Sequence, residues 1–254
     1  MLPSTERFTT RVANYVSYRP SYPREVVALL QAECGLRSGS PVADVGSGTG
    51  IFSRLLLDVG AEVLAVEPND AMRAAAESWL GDEPGFRSIK GTAEATGLTE
   101  ASVGLVTSAQ AFHWFDRERA RSEFRRILAP GGSVALVWNE RLSDSPFLQA
   151  YDETLKTYSD EYEQVRSRDV GESEVAAFFG PVGCRTAFFS NLQSLDLPAF
   201  LGRVMSSSYS PQQGHPSHEP FVEALRQLFA EHREADRVVF RYETRVYYGP
   251  LGSA

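Results

Sequence analysis

The chain has 254 residues, 43% of them hydrophobic and 23% charged, which suits a globular protein of one large or two small domains. A formal net charge of -8 argues against a protein that grips nucleic acid, because phosphate contacts draw on Lys and Arg. No apolar run nears the roughly 20 residues needed to cross a bilayer, and Met1 to Arg11 carries charges where a secretory signal needs an apolar stretch, so a cytoplasmic protein without membrane attachment is expected.

Pro23 suits the first turn of a helix that carries Val26, Val27, Leu29 and Leu30 and stops near Gly35. From Pro41 to about Asn139, short β-like runs alternate with helical stretches, the rhythm of right-handed crossovers and a parallel sheet. The strand candidates are Val42 to Val45, Glu62 to Glu67, Phe86 to Lys90, Val103 to Ala109 and Ser133 to Trp138, with the short apolar cores of buried parallel strands. Helices are expected at about Gly50 to Val59, Asp70 to Leu80 and Asp116 to Leu128, closed by Gly60, by Gly81 and by a Pro130-Gly131-Gly132 turn. Asp116 is placed to cap the third, whose Arg117, Arg119, Arg121, Arg125 and Arg126 read as its solvated side.

After Trp138 the rhythm breaks. Pro146 to Arg166 reads as a helix rich in Tyr and Glu, and Arg185 to Asp196 alternates like an exposed strand. Further helices are expected around Leu197 to Ser208 and Glu219 to Glu231, and Arg237 to Tyr248 suits a long strand that joins the sheet late. Cys34 and Cys184 lie far apart without metal-ligand spacing, so neither a disulfide framework nor a metal site is suggested.

The segment Val42-Ala-Asp-Val-Gly-Ser-Gly-Thr-Gly50 runs a strand into a glycine-rich turn and then a helix. A backbone free of side chains can approach a ligand there, at the carboxyl end of the strand. The spacing of Gly46, Gly48 and Gly50 does not complete the dinucleotide pattern G-x-G-x-x-G. Glu67 closes the second strand about 20 residues on, where a carboxylate can accept from ribose hydroxyls, which favours ligands containing adenosine.

The run of strand, Asp-Val-Gly-Ser-Gly-Thr-Gly, helix, Glu67 and Gly91-Thr-Ala-Glu94 resembles the class I S-adenosylmethionine-dependent methyltransferases of the type 11 group, over about residues 10 to 140. Tyr15 to Pro23 (Y-V-S-Y-R-P-S-Y-P) and Ala109 to Asp116 (A-Q-A-F-H-W-F-D) are similar to bacterial proteins related to trans-aconitate methyltransferase. The resemblance implies a doubly wound, mostly parallel Rossmann-like α/β sheet with an antiparallel late strand and a mainly helical insertion after the fifth strand. It implies S-adenosylmethionine as cofactor. Asp44, Gly46, Ser47, Gly48 and Gly50 would surround the methionyl part, Glu67 with Pro68 would hold the ribose, Ala93 and Glu94 would lie beside the adenine, and Ala109 and Gln110 would flank the sulfonium. The family often has Asp at the positions of Thr92 and Gly104.

Tyr15, Arg19 and Tyr22 fall in a segment that either folds over the cofactor or packs on the sheet, with Arg19 a candidate for a carboxylate. His113 and Trp114 follow the fourth strand and are candidates to bind the substrate, with His113 the one candidate base. The expected organisation is an N-terminal helical lid (1–35), a cofactor-binding core (36–140), a substrate-binding insertion (141–215) and a C-terminal helix and strand (216–254). Of the aromatic residues between Arg141 and Gln213, some are expected to wall an acceptor pocket and others to fill the core. The expected activity is methyl transfer to a small-molecule acceptor, a carboxylate or a hydroxyl. The alternative is a non-catalytic or regulatory protein that keeps the fold and the cofactor.

Overall fold

The computed structural model describes residues 18–162 and 171–252. Seven strands form one sheet in the order β3-β2-β1-β4-β5-β7-β6. They are β1 (Pro41–Val45), β2 (Glu62–Val66), β3 (Phe86–Ile89), β4 (Val103–Ala109), β5 (Leu128–Arg141), β6 (Arg185–Leu195) and β7 (Val238–Gly249). The first five are parallel, and β7 enters antiparallel between β5 and β6. This is the Rossmann-like architecture expected from the alternation of apolar runs and helical stretches.

The strands are short and apolar because both faces of the sheet are covered. Val42, Ala43, Asp44 and Val45 are all buried in β1. Helices α1 (Arg24–Glu33), α2 (Ile51–Leu57) and α3 (Asp70–Leu80) cover one face, where Val26, Leu30, Leu56 and Leu80 meet Val42, Val63 and Leu105. Helices α4 (Arg117–Ile127) and α6 (Glu172–Phe179) cover the other, where Phe124, Ile127 and Phe178 meet Val106 and Leu136. Each fully buried Val, Leu or Phe contributes about 1.5–3 kcal/mol relative to exposure.

A third core lies beyond the end of β5. Helices α5 (Pro146–Tyr158), α7 (Leu197–Met205) and α8 (His218–His232) enclose Leu148, Tyr151, Phe200, Phe221 and Leu225 against Phe240 and Tyr242 of β7. Residues 141–215 and 216–254 therefore share one core. Most of the insertion's aromatic residues serve packing: Phe147, Tyr151 and Phe200 belong to this cluster, and Phe178 and Phe179 to the one under α4. Phe188 is exposed.

Two local expectations change. The Pro130-Gly131-Gly132 stretch does not end the ladder, because Val103 pairs with Leu128 and Leu105 with Ser133, so the chain loops out and rejoins the same strand. The arginines of α4 are not simply its solvated side. Arg119 and Arg125 are exposed, whereas Arg117 pairs with Glu174, and Arg121 donates to the carbonyls of Phe178 and Gly252. Residues 163–166 of the expected insertion helix lie outside the described residues. Among the described residues no helix is long and apolar enough to cross a membrane.

Gly50 shows how tightly the helices seat on the sheet. It opens α2 at φ +84°, and a Cβ there would lie 2.5 Å from Leu80 Cδ1 of α3. Gly50→Ala combines a left-handed backbone with overpacking and is expected to lose about 2–4 kcal/mol in urea unfolding. A loss below about 1 kcal/mol would contradict this close packing.

Candidate functional site

The carboxyl ends of β1, β2 and β4 converge on one cavity, with an empty volume of about 1080 Å³ including its open mouth. The crevice beyond the carboxyl ends of parallel strands is where this architecture binds ligands. The wall includes Asp44, Gly46 and Ser47 after β1, Glu67, Pro68 and Asn69 after β2, Ala93 and Glu94 after β3, and Ala109 and Gln110 after β4. Tyr22 and Trp114 complete it.

The glycine turn carries the closest approach. Gly46 sits at φ +71°, and a Cβ there would lie 2.4 Å from the Ala111 Cβ, so the loops after β1 and β4 touch across the cavity floor. Glu67 is the joint between the turns after β1 and β2. One carboxylate oxygen accepts from the Gly48 N–H at 2.9 Å and the other from the Asn69 N–H at 2.8 Å. Asn69 in turn caps α3 by accepting from the Met72 N–H at 3.0 Å. Burial raises the Glu67 carboxyl above its ordinary value, against the pull of those two N–H groups and of Arg73. Each carboxylate oxygen retains a second lone pair for a ligand hydroxyl.

Asp44 is fully buried at the end of β1. Ser53 donates to it at 2.6 Å and Thr107, its neighbour across the ladder, at 2.9 Å. Gln110 follows β4 with φ +55°, a left-handed backbone rare for a residue with a side chain. Two bonds hold it there: its N–H donates to the Val137 carbonyl, and its side-chain amide donates to the Asn139 carbonyl. Glu94 accepts from the Asp116 N–H, which ties the loop after β3 to the start of α4.

The segment before α1 runs along this end of the sheet as a strap. The Tyr18 carbonyl accepts from Gln193, the Arg19 guanidinium donates to the Ser206 carbonyl at 3.1 Å, and the Ser21 carbonyl accepts from Asn139 and Asn191. Tyr22 then packs edge-on against Phe52, with ring centroids 5.1 Å apart. The expected ligand-facing residues of this segment thus divide. Tyr22 reaches the cavity wall, Arg19 turns toward α7, and Tyr15 lies outside the described residues.

The remaining expectations sort in the same way. Gly48 and Gly50 stand behind the wall, where they shape the turn and seat α2. His113 and Trp114 share a single 3-10 turn (Phe112–Trp114) with ring centroids 4.9 Å apart, but only Trp114 is part of the wall. Thr49, within the expected glycine turn, lines the cavity, and sequence reasoning missed Ile51, Phe52, Asn69, Met72, Ala111 and Phe115, which line it too. Their signal was position alone, within a few residues of the strand ends.

A family model described as Methyltransferase domain matches residues 43–136, the span from β1 into β5. An uncharacterized methyltransferase of Mycobacterium tuberculosis is 40% identical over 134 residues, 53% of this chain and 52% of that protein. The malonyl-acyl-carrier-protein O-methyltransferase of Methylococcus capsulatus is 40% identical over 122 residues, 43% of this chain and 44% of its own. The chain spans about half the length of these curated relatives. Among solved structures, a protein named as a type II methyltransferase from Anaeromyxobacter dehalogenans is similar with TM-score 0.67 and 24% identity, over 93% of this chain and 100% of that one. A Geobacter sulfurreducens S-adenosylmethionine-dependent methyltransferase, solved with S-adenosylhomocysteine, gives TM-score 0.55 and 16% identity over 98% and 100%. The fold is therefore that of the Rossmann-like methyltransferases.

Asp44 provides a test of the site's electrostatics. Burial pushes its carboxyl from 3.8 up to about 6, against the Ser53 and Thr107 hydroxyls. The folded chain thus holds this proton more tightly than the unfolded chain. The associated stability is fully present below about pH 4 and is lost as pH rises through about 6. Asp44→Asn carries no such titration. Its stability relative to the unsubstituted protein is expected to rise by about 2.5 kcal/mol between pH 4 and pH 8 in ligand-free urea unfolding. A relative change below about 1 kcal/mol would show that Asp44 ionises without penalty.

Proposed function

We propose that this protein transfers a methyl group from S-adenosylmethionine to a small-molecule acceptor. The observation that carries this reading is the bridge made by Glu67, which fixes the glycine turn and presents a half-satisfied carboxylate to the cavity. Bound there, the cofactor would supply an activated methyl on a positively charged sulfur.

The residues present suit that group. Glu67 would accept from the ribose hydroxyls, and Asp44 with the backbone of Gly46 and Ser47 would face the methionyl end. Ala93 and Glu94 would flank the adenine, while Thr92 stands where an acidic partner is common, so the adenine would rest more on the walls of Pro68 and Met72. Ala109 and Gln110 would border the reacting carbon, with Gln110 held by its two bonds to β5.

The protein's task is then alignment and exclusion of water. Tyr22 from the strap and Trp114 from the turn after β4 would cover the mouth and orient the acceptor. The cofactor would supply the methyl carbon to the acceptor's nucleophile and would keep the electron pair of the carbon–sulfur bond on its sulfur. A carboxylate needs no base for this step; a hydroxyl would, and His113 stands one residue from the wall. The formal charge of -8 supports a small acceptor over a nucleic acid.

Incubation with methyl-labelled cofactor and a panel of small acids, phenols and amines, beside tRNA and protein, checks the reading. Label is expected in a small molecule. Glu67→Gln, which sets an amide N–H against a backbone N–H, is expected to raise the cofactor KM at least about 10-fold. Transfer to tRNA or protein alone would overturn the acceptor class, and cofactor binding without transfer to any acceptor would favour a non-catalytic role.

A further inference from the structure

The insertion carries a buried group of cations for which methyl-donor binding has no use. Arg141, the last residue of β5, lays its guanidinium 4.7 Å from the centre of the Tyr151 ring and donates through Nη2 to Asp152 and Tyr162. Asp152 is fully engaged, accepting also from Ser143 and Tyr162. Arg203 of α7 is 6% exposed and donates to the hydroxyls of Tyr242 and Ser207 at 3.2 and 3.1 Å. Among the described residues no carboxylate pairs with it.

Two buried polar atoms here lack any hydrogen-bond partner: Arg141 Nη1 and the hydroxyl of Tyr151, a residue only 1% exposed. A buried cation without a counter-ion and buried donors without acceptors are both costly, so a chain that keeps them together has a reason other than stability. Tyr209 registers the same excess of positive charge. Burial pushes its phenol up, yet Arg203 and Arg141, with a hydrogen bond from Ser207 and the charge of Arg19, pull it below its ordinary value.

The position is as telling as the charge. Gln110 of the cavity wall donates to the carbonyl of Asn139, and Arg141 lies two residues further on the same face of β5, about 7 Å along the strand. The strap joins the two places, with Tyr22 on the cavity wall and Arg19 bonded to Ser206 beside Arg203.

We propose that Arg141, Arg203 and the Tyr151 hydroxyl form an anion subsite that holds a carboxylate or phosphate of an acidic acceptor while its nucleophile reaches the cavity beside Gln110. This deepens the methyl-transfer reading and rests on it for the word acceptor. Guanidinium pairs are matched to planar oxyanions, and an anion here would supply both the missing counter-charge and the missing acceptors.

Thermal unfolding of the full chain with glutarate, citrate or inorganic phosphate, at ionic strength fixed with sodium chloride, tests the subsite. At about 10 mM, at least one of these anions is expected to raise Tm by about 3 °C or more over chloride alone. The carboxylate and phosphate arms tell which oxyanion is held. Arg203→Met is expected to abolish the shift while unfolding no earlier than the unsubstituted protein, because it removes an unpaired buried cation. Tyr151→Phe, which deletes only the unpartnered hydroxyl, is expected to weaken the anion about 5-fold to 10-fold. No shift with any anion, or equal shifts in both variants, would overturn the subsite. S-adenosylhomocysteine is the independent arm: its stabilisation is expected to be unchanged in both variants, and its absence with the anion shift intact would sink the methyl-transfer reading and leave the subsite standing.

Discussion

The Glu67 carboxylate is the constraint around which this site is arranged. Two loops that follow different strands must hold still relative to one another. The buried Glu67 carboxylate joins them by accepting from the Gly48 and Asn69 N–H groups, at a cost visible in its raised pKa, beside the Val66 carbonyl, which accepts from the Gly46 and Ser47 N–H groups. Everything downstream follows this joint. Asn69, positioned by Glu67, caps α3; α3 then presses Leu80 against Gly50, and Trp79 donates to the Thr49 carbonyl at 2.7 Å. The glycine turn is thus held from both ends, with its N–H groups turned inward.

The sheet gives this joint its reach. Because β4 lies beside β1, the turn after β1 contacts the loop after β4, and Gly46 meets Ala111 with no room for a side chain between them. Gln110 accepts a left-handed backbone at that junction, where its bonds to β5 oppose relaxation. The same strand continues past the edge of the core and delivers Arg141 into the insertion. One strand therefore holds Gln110 of the cavity wall through the Asn139 carbonyl and carries Arg141 two residues further on.

Much of the core was legible because its signals are local. Apolar runs with β-branched residues placed β1 to β4 within a residue or so, and Asp116 was recognisable as a cap because its side chain accepts from the Arg119 N–H three residues on. Glu67 stood out by position after a strand. β5 was misjudged at its start because Pro130-Gly131-Gly132 is a sound turn signal, and only pairing with β4 reveals that the chain returns to the same ladder. The arginine group could not be seen at all. Arg19 stood out as a candidate for a carboxylate, but Arg141 and Arg203 lie far from it in the chain, each unremarkable among its neighbours, and only the packing of α5 and α7 on β7 brings the three together. Tyr151 was weighed as wall or core, and the structure makes its ring core while leaving its hydroxyl without a partner.

The central claim is that the cavity at the glycine turn is the cofactor site. Its most direct test is a crystal structure of the protein grown with S-adenosylhomocysteine. The account predicts the ligand across the ends of β1, β2 and β4, its ribose hydroxyls on the Glu67 carboxylate and its adenine between Pro68 and Ala93. Ligand density at any other place, or an empty cavity in crystals saturated with the ligand, would contradict it.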